Sequence, residues 1–160
     1  MRAPRSRGFQ HERDLARRLW EKGLAVVRAP ASGSKARRLV YPDLVAIYRG
    51  RVVAIEAKTT RRGGAIYVRR EQVEKLMEFA RRAGGEAYVA IKHVGTGDWR
   101  FVRIDSLVEA GNSFKVTREA IEGSPRLEEL VDEIKGARPL TEFLGGKREG
   151  GPSRAGASPP

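Results

Sequence analysis

Pro42-Asp43-Leu44-Val45-Ala46-Ile47-Tyr48-Arg49-Gly50-Arg51-Val52-Val53-Ala54-Ile55-Glu56-Ala57-Lys58 is the most strongly patterned segment of the chain. It contains two strand-like runs, Asp43–Tyr48 and Arg51–Lys58, meeting at Arg49-Gly50. A tight hairpin turn suits that dipeptide. With Arg49 and Gly50 as the two central turn residues, Asp43 lies opposite Glu56, and opposed residues point to one face. A loop one residue different would make them diagonal neighbours. Strand alternation puts Lys58 on the face of Glu56. Like charges at cross-strand distance destabilise a sheet, so something cationic is expected between the carboxylates. The alternative is a surface Asp–Lys–Glu cluster with no chemistry.

Working outward, residues 8–22 read as a helix ending at Gly23, Leu24–Arg28 as a short strand, and Ala29–Tyr41 as a basic loop of small residues. After the hairpin, residues 69–83 form a second helix. Val73, Leu76, Met77, Ala80 and Ala83 lie on one face of it, and Gly84-Gly85 stops it. Glu86–Lys92 and Trp99–Ile104 make another hairpin around Gly95-Thr96-Gly97-Asp98. Ser124-Pro125 is expected to start a last helix running to Lys135, with Ser as N-cap and Pro in the first turn. Helix, three strands, helix, two strands, helix implies a single α/β domain with a central mixed five-stranded sheet flanked by helices.

The first helix carries an anomaly. At roughly 100° per residue, Phe9, Leu15, Ala16, Leu19 and Trp20 share one arc, with most charged residues outside it. Glu12 sits near the middle of that stripe, where an ionised carboxylate is costly unless paired or metal-bound. A salt bridge to a buried Arg is the competing explanation.

Composition bounds the partners. The 160 residues carry a net charge of +12. Residues 136–160 hold four basic residues (Arg138, Lys147, Arg148, Arg154) and two acidic ones (Glu142, Glu149), so +10 remains on residues 1–135. Such a charge on a small domain points to a polyanion, nucleic acid first. No basic amphipathic helix suggests a membrane surface. The chain has no cysteine, which excludes disulfides and thiolate metal sites. No apolar run approaches transmembrane length, and Met1 to Arg7 lack the apolar segment of a signal peptide. The expectation is an intracellular, cytoplasmic protein with one folded domain over 1–135 and a mobile Gly/Pro-rich tail over 136–160.

Three oxygen-donor carboxylates suit a hard cation, Mg²⁺ or Mn²⁺. Such an ion would polarise a phosphoryl oxygen and lower the pKa of a bound water. Lys58 could orient that water or neutralise developing charge. His11 and His93 are read as bystanders.

Pro42-Asp43…Glu56-Ala57-Lys58 resembles the PD-(D/E)xK nuclease signature. Taken with Arg28-Ala29-Pro30-Ala31-Ser32-Gly33-Ser34, Glu12-Arg13 and Glu78-Phe79-Ala80-Arg81-Arg82-Ala83-Gly84-Gly85, it resembles the archaeal Holliday junction resolvases from about Gly8 to about Ile104. The resemblance implies a restriction-endonuclease-like fold. It implies metal-site carboxylates at Glu12, Asp43 and Glu56, a catalytic Lys58, and Ser32 or Ser34 acting at the scissile strand. It also implies a homodimer that places paired nicks in a four-way junction during recombination and repair. Ala83 departs from relatives that carry an aromatic in the dimer-forming helix.

Arg13, Arg28, Lys35, Arg37, Arg38, Arg61 and Arg62 surround these positions. Singly each is a solvated charge; together they favour contact with the DNA backbone without base readout. In the tail, Leu140, Phe143 and Leu144 resemble a sliding-clamp-binding box over 137–144, and packing back onto the domain is the alternative. The rival functions are another nuclease of the same superfamily, restriction-like or repair, and a non-catalytic basic DNA-binding protein. The second gives no reason for opposed carboxylates, which repel phosphate.

Overall fold

A computed structural model describes residues 5–29, 41–61 and 63–136. The central hairpin forms as its sequence dictates. β2 (Leu44–Tyr48) and β3 (Arg51–Thr60) are antiparallel, with Tyr48 opposite Arg51 and Leu44 opposite Ile55. Arg49 and Gly50 have φ of 46° and 85°, the two successive positive values that a type I′ turn requires.

Around this hairpin the sheet has the order β1-β2-β3-β5-β6, with β1 (Ala25–Arg28), β5 (Glu86–His93) and β6 (Trp99–Arg103). β3 and β5 are parallel and the other pairs antiparallel, so the sheet is mixed, as expected. The parallel pair needs a crossover, supplied by α2 (Arg70–Ala83). Where α2 turns into β5, a Cβ on Gly85 would collide with the Val52 carbonyl, so that close approach needs glycine.

The helices cover both faces. α1 (Arg5–Glu21) and α4 (Leu127–Lys135) bury Leu15, Leu19, Leu130 and Ile134 against Leu44, Val53, Ile55, Tyr88 and Phe101. On the opposite face α2 sets Leu76 and Ala80 on Ala54 and Ala87, and Val73 joins Val89, Ile91 and Val102.

Several expectations are corrected. A second sheet of order β4-β8-β7 exists, from β4 (Ile66–Arg69), β7 (Val108–Ala110) and β8 (Ser113–Val116). Its strands are three or four residues long, too short for period-two alternation to stand out in sequence. Ser124 does not cap the last helix; it follows the short α3 (Arg118–Gly123), and its hydroxyl donates to the Ala120 carbonyl at 2.5 Å. α4 starts at Leu127, where the Glu129 carboxylate accepts from the Arg126 N–H at 2.7 Å. On α1 the apolar arc is narrower than its sequence suggests: Leu15 and Leu19 are buried, but Trp20 is 64% exposed and Phe9 also reaches solvent. On α2, Met77 is 50% exposed, while Phe79 packs against the Ala54–Leu76 cluster rather than standing free. Ala80 of α2 meets Ala54 and Ala87 of the sheet, and Phe79 packs beside them.

Candidate active site

Two of the three predicted carboxylates, Asp43 and Glu56, meet where β3 outruns its neighbour. The β2–β3 ladder ends at the Leu44–Ile55 pair, while β3 continues against β5 as far as the Thr60–His93 pair. Extending the ladder by one residue puts Asp43 opposite Glu56. Beyond that point the freed edge of β3 needs a hydrogen-bond partner. Asp43 provides it: its Oδ2 accepts from the Ala57 N–H at 2.9 Å, and its backbone carbonyl accepts from the Ala29 N–H at 3.0 Å. The carboxylate thus takes the place of a missing β2 residue, which fixes its position.

Glu56 is 8% exposed, the one buried charged residue among those described. Its Oε1 receives the Gln72 side-chain amide at 3.0 Å and lies 3.3 Å from Lys58 Nζ. Lys58 Nζ also donates to Gln72 Oε1 at 3.3 Å. Gln72, in the first turn of α2, therefore ties the acid to the ammonium. Sequence reasoning missed it because a single Gln on a helix carries no pattern; only the crossover of α2 over β3 brings it here.

Burial is the first cause of the electrostatics and the charge of Asp43 the second: together they push the Glu56 carboxyl up to about 7, with Lys58 opposing. Asp43 is raised by burial, against the Ala57 N–H and Lys58. Glu12 is raised to about 7 by burial and then by Asp43, with Arg28 and Lys58 opposing. The charge of Asp43 thus disfavours ionisation of both Glu12 and Glu56, with Lys58 opposing at each and Arg28 at Glu12. One guanidinium nitrogen of Arg28, Nη1, is buried without a hydrogen-bond partner among the described residues.

Glu12 reaches the cluster's field but not its contact shell. Among the described residues no three His, Cys, Asp or Glu side chains are gathered closely enough to hold a metal ion. Asp43 and Glu56 are the close pair. Nor does Glu12 form a salt bridge among the described residues; Arg28 acts on it through the field alone. Arg13 and Arg61 are exposed, while Arg28 is half-buried. His11 feels Lys92 and Asp14, with its pKa lowered first by burial. Ser32, Ser34, Lys35, Arg37, Arg38, Arg62 and the segment 137–144 lie outside the described residues.

Residues 3–138 match the family model of the archaeal Holliday junction resolvase, Hjc. The chain belongs to the archaeal Holliday junction resolvase family. It is 40% identical over 147 residues to the crossover junction endodeoxyribonuclease Hjc of Sulfurisphaera tokodaii, covering 90% of this chain and 100% of that protein. The Hjc of Sulfolobus acidocaldarius is also 40% identical, over 88% of this chain and 98% of its own length. In three dimensions the chain superposes on the Archaeoglobus fulgidus Hjc with a TM-score of 0.68 and 32% identity, covering 78% of this chain and 95% of that one. The resolvase family resemblance drawn from the sequence and the fold expected with it are both found. No helix among the described residues is long and apolar enough to cross a membrane.

Proposed function

We propose that this resolvase-family chain hydrolyses one phosphodiester bond at each of two opposed strands of a four-way DNA junction, with Asp43, Glu56 and Lys58 as its reacting centre. The observation that carries the proposal is the buried Glu56 with its carboxyl raised by the neighbouring, half-buried Asp43, at the end of a β-ladder on a protein of net charge +12. Two such carboxylates repel phosphate, so a nucleic-acid partner makes sense of them only with a cation between.

Hard oxygen donors fit Mg²⁺ or Mn²⁺: Asp43 and Glu56 would hold the ion directly, and Glu12, which feels the charge of Asp43, would join them once it is bound. When bound, that ion supplies Lewis-acid polarisation of the phosphoryl oxygen. The remaining work belongs to the chain. Asp43 is locked by the Ala57 N–H. Lys58, steadied by Glu56 and Gln72, presents an ammonium to the charge that develops on the phosphoryl group. Arg28 keeps a buried N–H donor for a phosphate oxygen. Arg13 and Arg61, with Lys35, Arg37, Arg38 and Arg62, carry the backbone affinity. Ser32 or Ser34 approaches the scissile strand.

Paired nicks need two such centres, so the working unit is a homodimer in the cytoplasm, where recombining DNA lies. Residues 137–144 tether it to a sliding clamp through Leu140, Phe143 and Leu144. A chain ending at Gly136 then cuts junctions normally and loses co-elution with the clamp; loss of the fold instead would assign those residues to the core.

The deciding experiment incubates the protein in Mg²⁺ with four-way, forked and linear DNA of matched sequence at one salt concentration. Paired, opposed nicks in the four-way DNA are expected. Equal affinity for and equal cutting of all three DNAs would overturn the reading.

A further inference from the structure

Beside the reacting centre, on the same face of the sheet, lies a cavity of about 330 Å³ that the mechanism does not use. It sits between the ends of β3, β5 and β6 and the overlying α3. Its walls include Thr60 and His93, which are register partners, and Ile91 and Arg100, which are another pair. Ile121 and Arg118 of α3 close the far side. Ile91 is also the register partner of Lys58. The cavity and the catalytic ammonium therefore flank one another across a single strand pair, about 5 Å apart at the backbone.

The chemistry of the walls selects among ligands. A phosphate site would keep cations in surplus. Here Arg118 is paired with Glu122 at 2.7 Å, and Arg100 Nη1 donates to the carbonyls of Ser124 at 2.9 Å and Glu122 at 3.4 Å. Asp98 adds a further negative charge. The cations are occupied, so a free anion gains little. What is offered instead is an apolar floor, Ile91 and Ile121, beside a buried ring nitrogen, His93 Nδ1, that has no hydrogen-bond partner among the described residues. An apolar slot with one unsatisfied polar atom suits a flat heteroaromatic ring with a hydrogen-bonding edge. The volume lies at the small end of ligand sites, roughly 300–1,000 Å³. Gly63 and Gly64 leave the mouth uncrowded, since a Cβ at either would touch nothing within 4 Å.

We propose that this cavity receives one nucleobase extruded from the DNA, next to the nucleotide whose phosphate lies at Lys58. The inference rests on the branched-DNA reading above and deepens it. Unstacking a base costs free energy, least where pairing and stacking are already disturbed. A branch point supplies that disturbance and a linear duplex does not. A pocket that must be filled by an extruded base therefore selects shape, and a single His93 nitrogen leaves base identity weakly read.

The test uses four-way junctions carrying 2-aminopurine at successive nucleotides around the cut, without added divalent cation so that strands stay intact. On binding the wild-type protein, fluorescence rises several-fold at one position, and not in the matched linear duplex. Ile121→Arg lays a long, non-quenching side chain into the cavity. Thr96→Arg does so from the exposed mouth, in case the first variant lowers the melting temperature. Either abolishes the rise and slows cutting in Mg²⁺ about tenfold. Wild-type protein that binds the junction with no position brightening overturns the pocket, as does brightening unchanged in both folded variants; water on His93 then fills the space. Wild-type protein with no preference for the junction overturns the resolvase reading itself, a separate result.

Discussion

β3 is one strand with two characters. From Val53 to Ile55 it has β2 on one side and β5 on the other, and Val53, Ala54 and Ile55 are wholly buried between α1 and α2. From Glu56 to Thr60 it keeps only β5, and the place of β2 is taken by the Asp43 carboxylate. Apolar packing in the first half stabilises the domain; in the second half burial and the charge of Asp43 hold the Glu56 carboxyl above its ordinary pKa, which reduces stability where it ionises. The contrast shows how the candidate site is supported: repulsion between like charges is confined to residues beyond the end of a ladder, while the ladder itself stays apolar.

The largest test of this division exchanges function for fold. Glu56→Gln or Asp43→Asn is expected to reduce cutting in Mg²⁺ by about 10³-fold, the order seen when a group that stabilises transition-state charge is lost. Junction affinity should hold or rise, because a negative charge is removed from the DNA face. Activity within a few-fold of wild type would take both residues out of the reacting centre.

The opposite result is expected one residue earlier. Ile55→Ala should cost about 2–5 kcal/mol of unfolding free energy in urea, while the protein that remains folded turns over junctions at a near-normal rate. If it spared stability and lost turnover, the boundary between the two halves would be misplaced.

A smaller effect is expected at Gln72. Gln72→Ala removes the link between Glu56 and Lys58 without removing either. Cutting should fall by about 10–100-fold, the usual range for a group that orients a direct ligand, with the melting temperature little changed. Gln72→Ala with full activity would make the amide a packing group.

The mildest test is pH. Glu56 and Glu12 both have carboxyl pKa raised from 4.5 to about 7 in the fold. Their folded state binds more protons than the unfolded chain between these values, so stability should fall as pH rises from about 4.5 to 7 and then level off. Glu56→Gln should flatten part of that slope in metal-free urea titrations. A slope identical in the variant would show that Glu56 ionises normally.

The hairpin and its acids were legible because their determinants are local. A two-residue turn sets the register, and alternation with period two then puts Lys58 on the face of Glu56. The Glu12 anomaly was legible as a charge inside a helical stripe, and its carboxyl is indeed pushed up by burial. The chain alone could not say how near Glu12 comes to the pair, because that depends on how α1 crosses the sheet.

By itself, then, the sequence determined the mixed α/β fold, the opposed acids and the family, since repeating patterns and contiguous motifs carry those. The tertiary structure decided the rest. β4, β7 and β8 exist through non-local pairing, with too few residues each to show a period. Gln72 lies 16 residues from Glu56, and its contact exists only because α2 folds back over β3. The cavity at His93 likewise forms only where α3 closes over the ends of three strands, and a space between elements has no residue of its own to announce it.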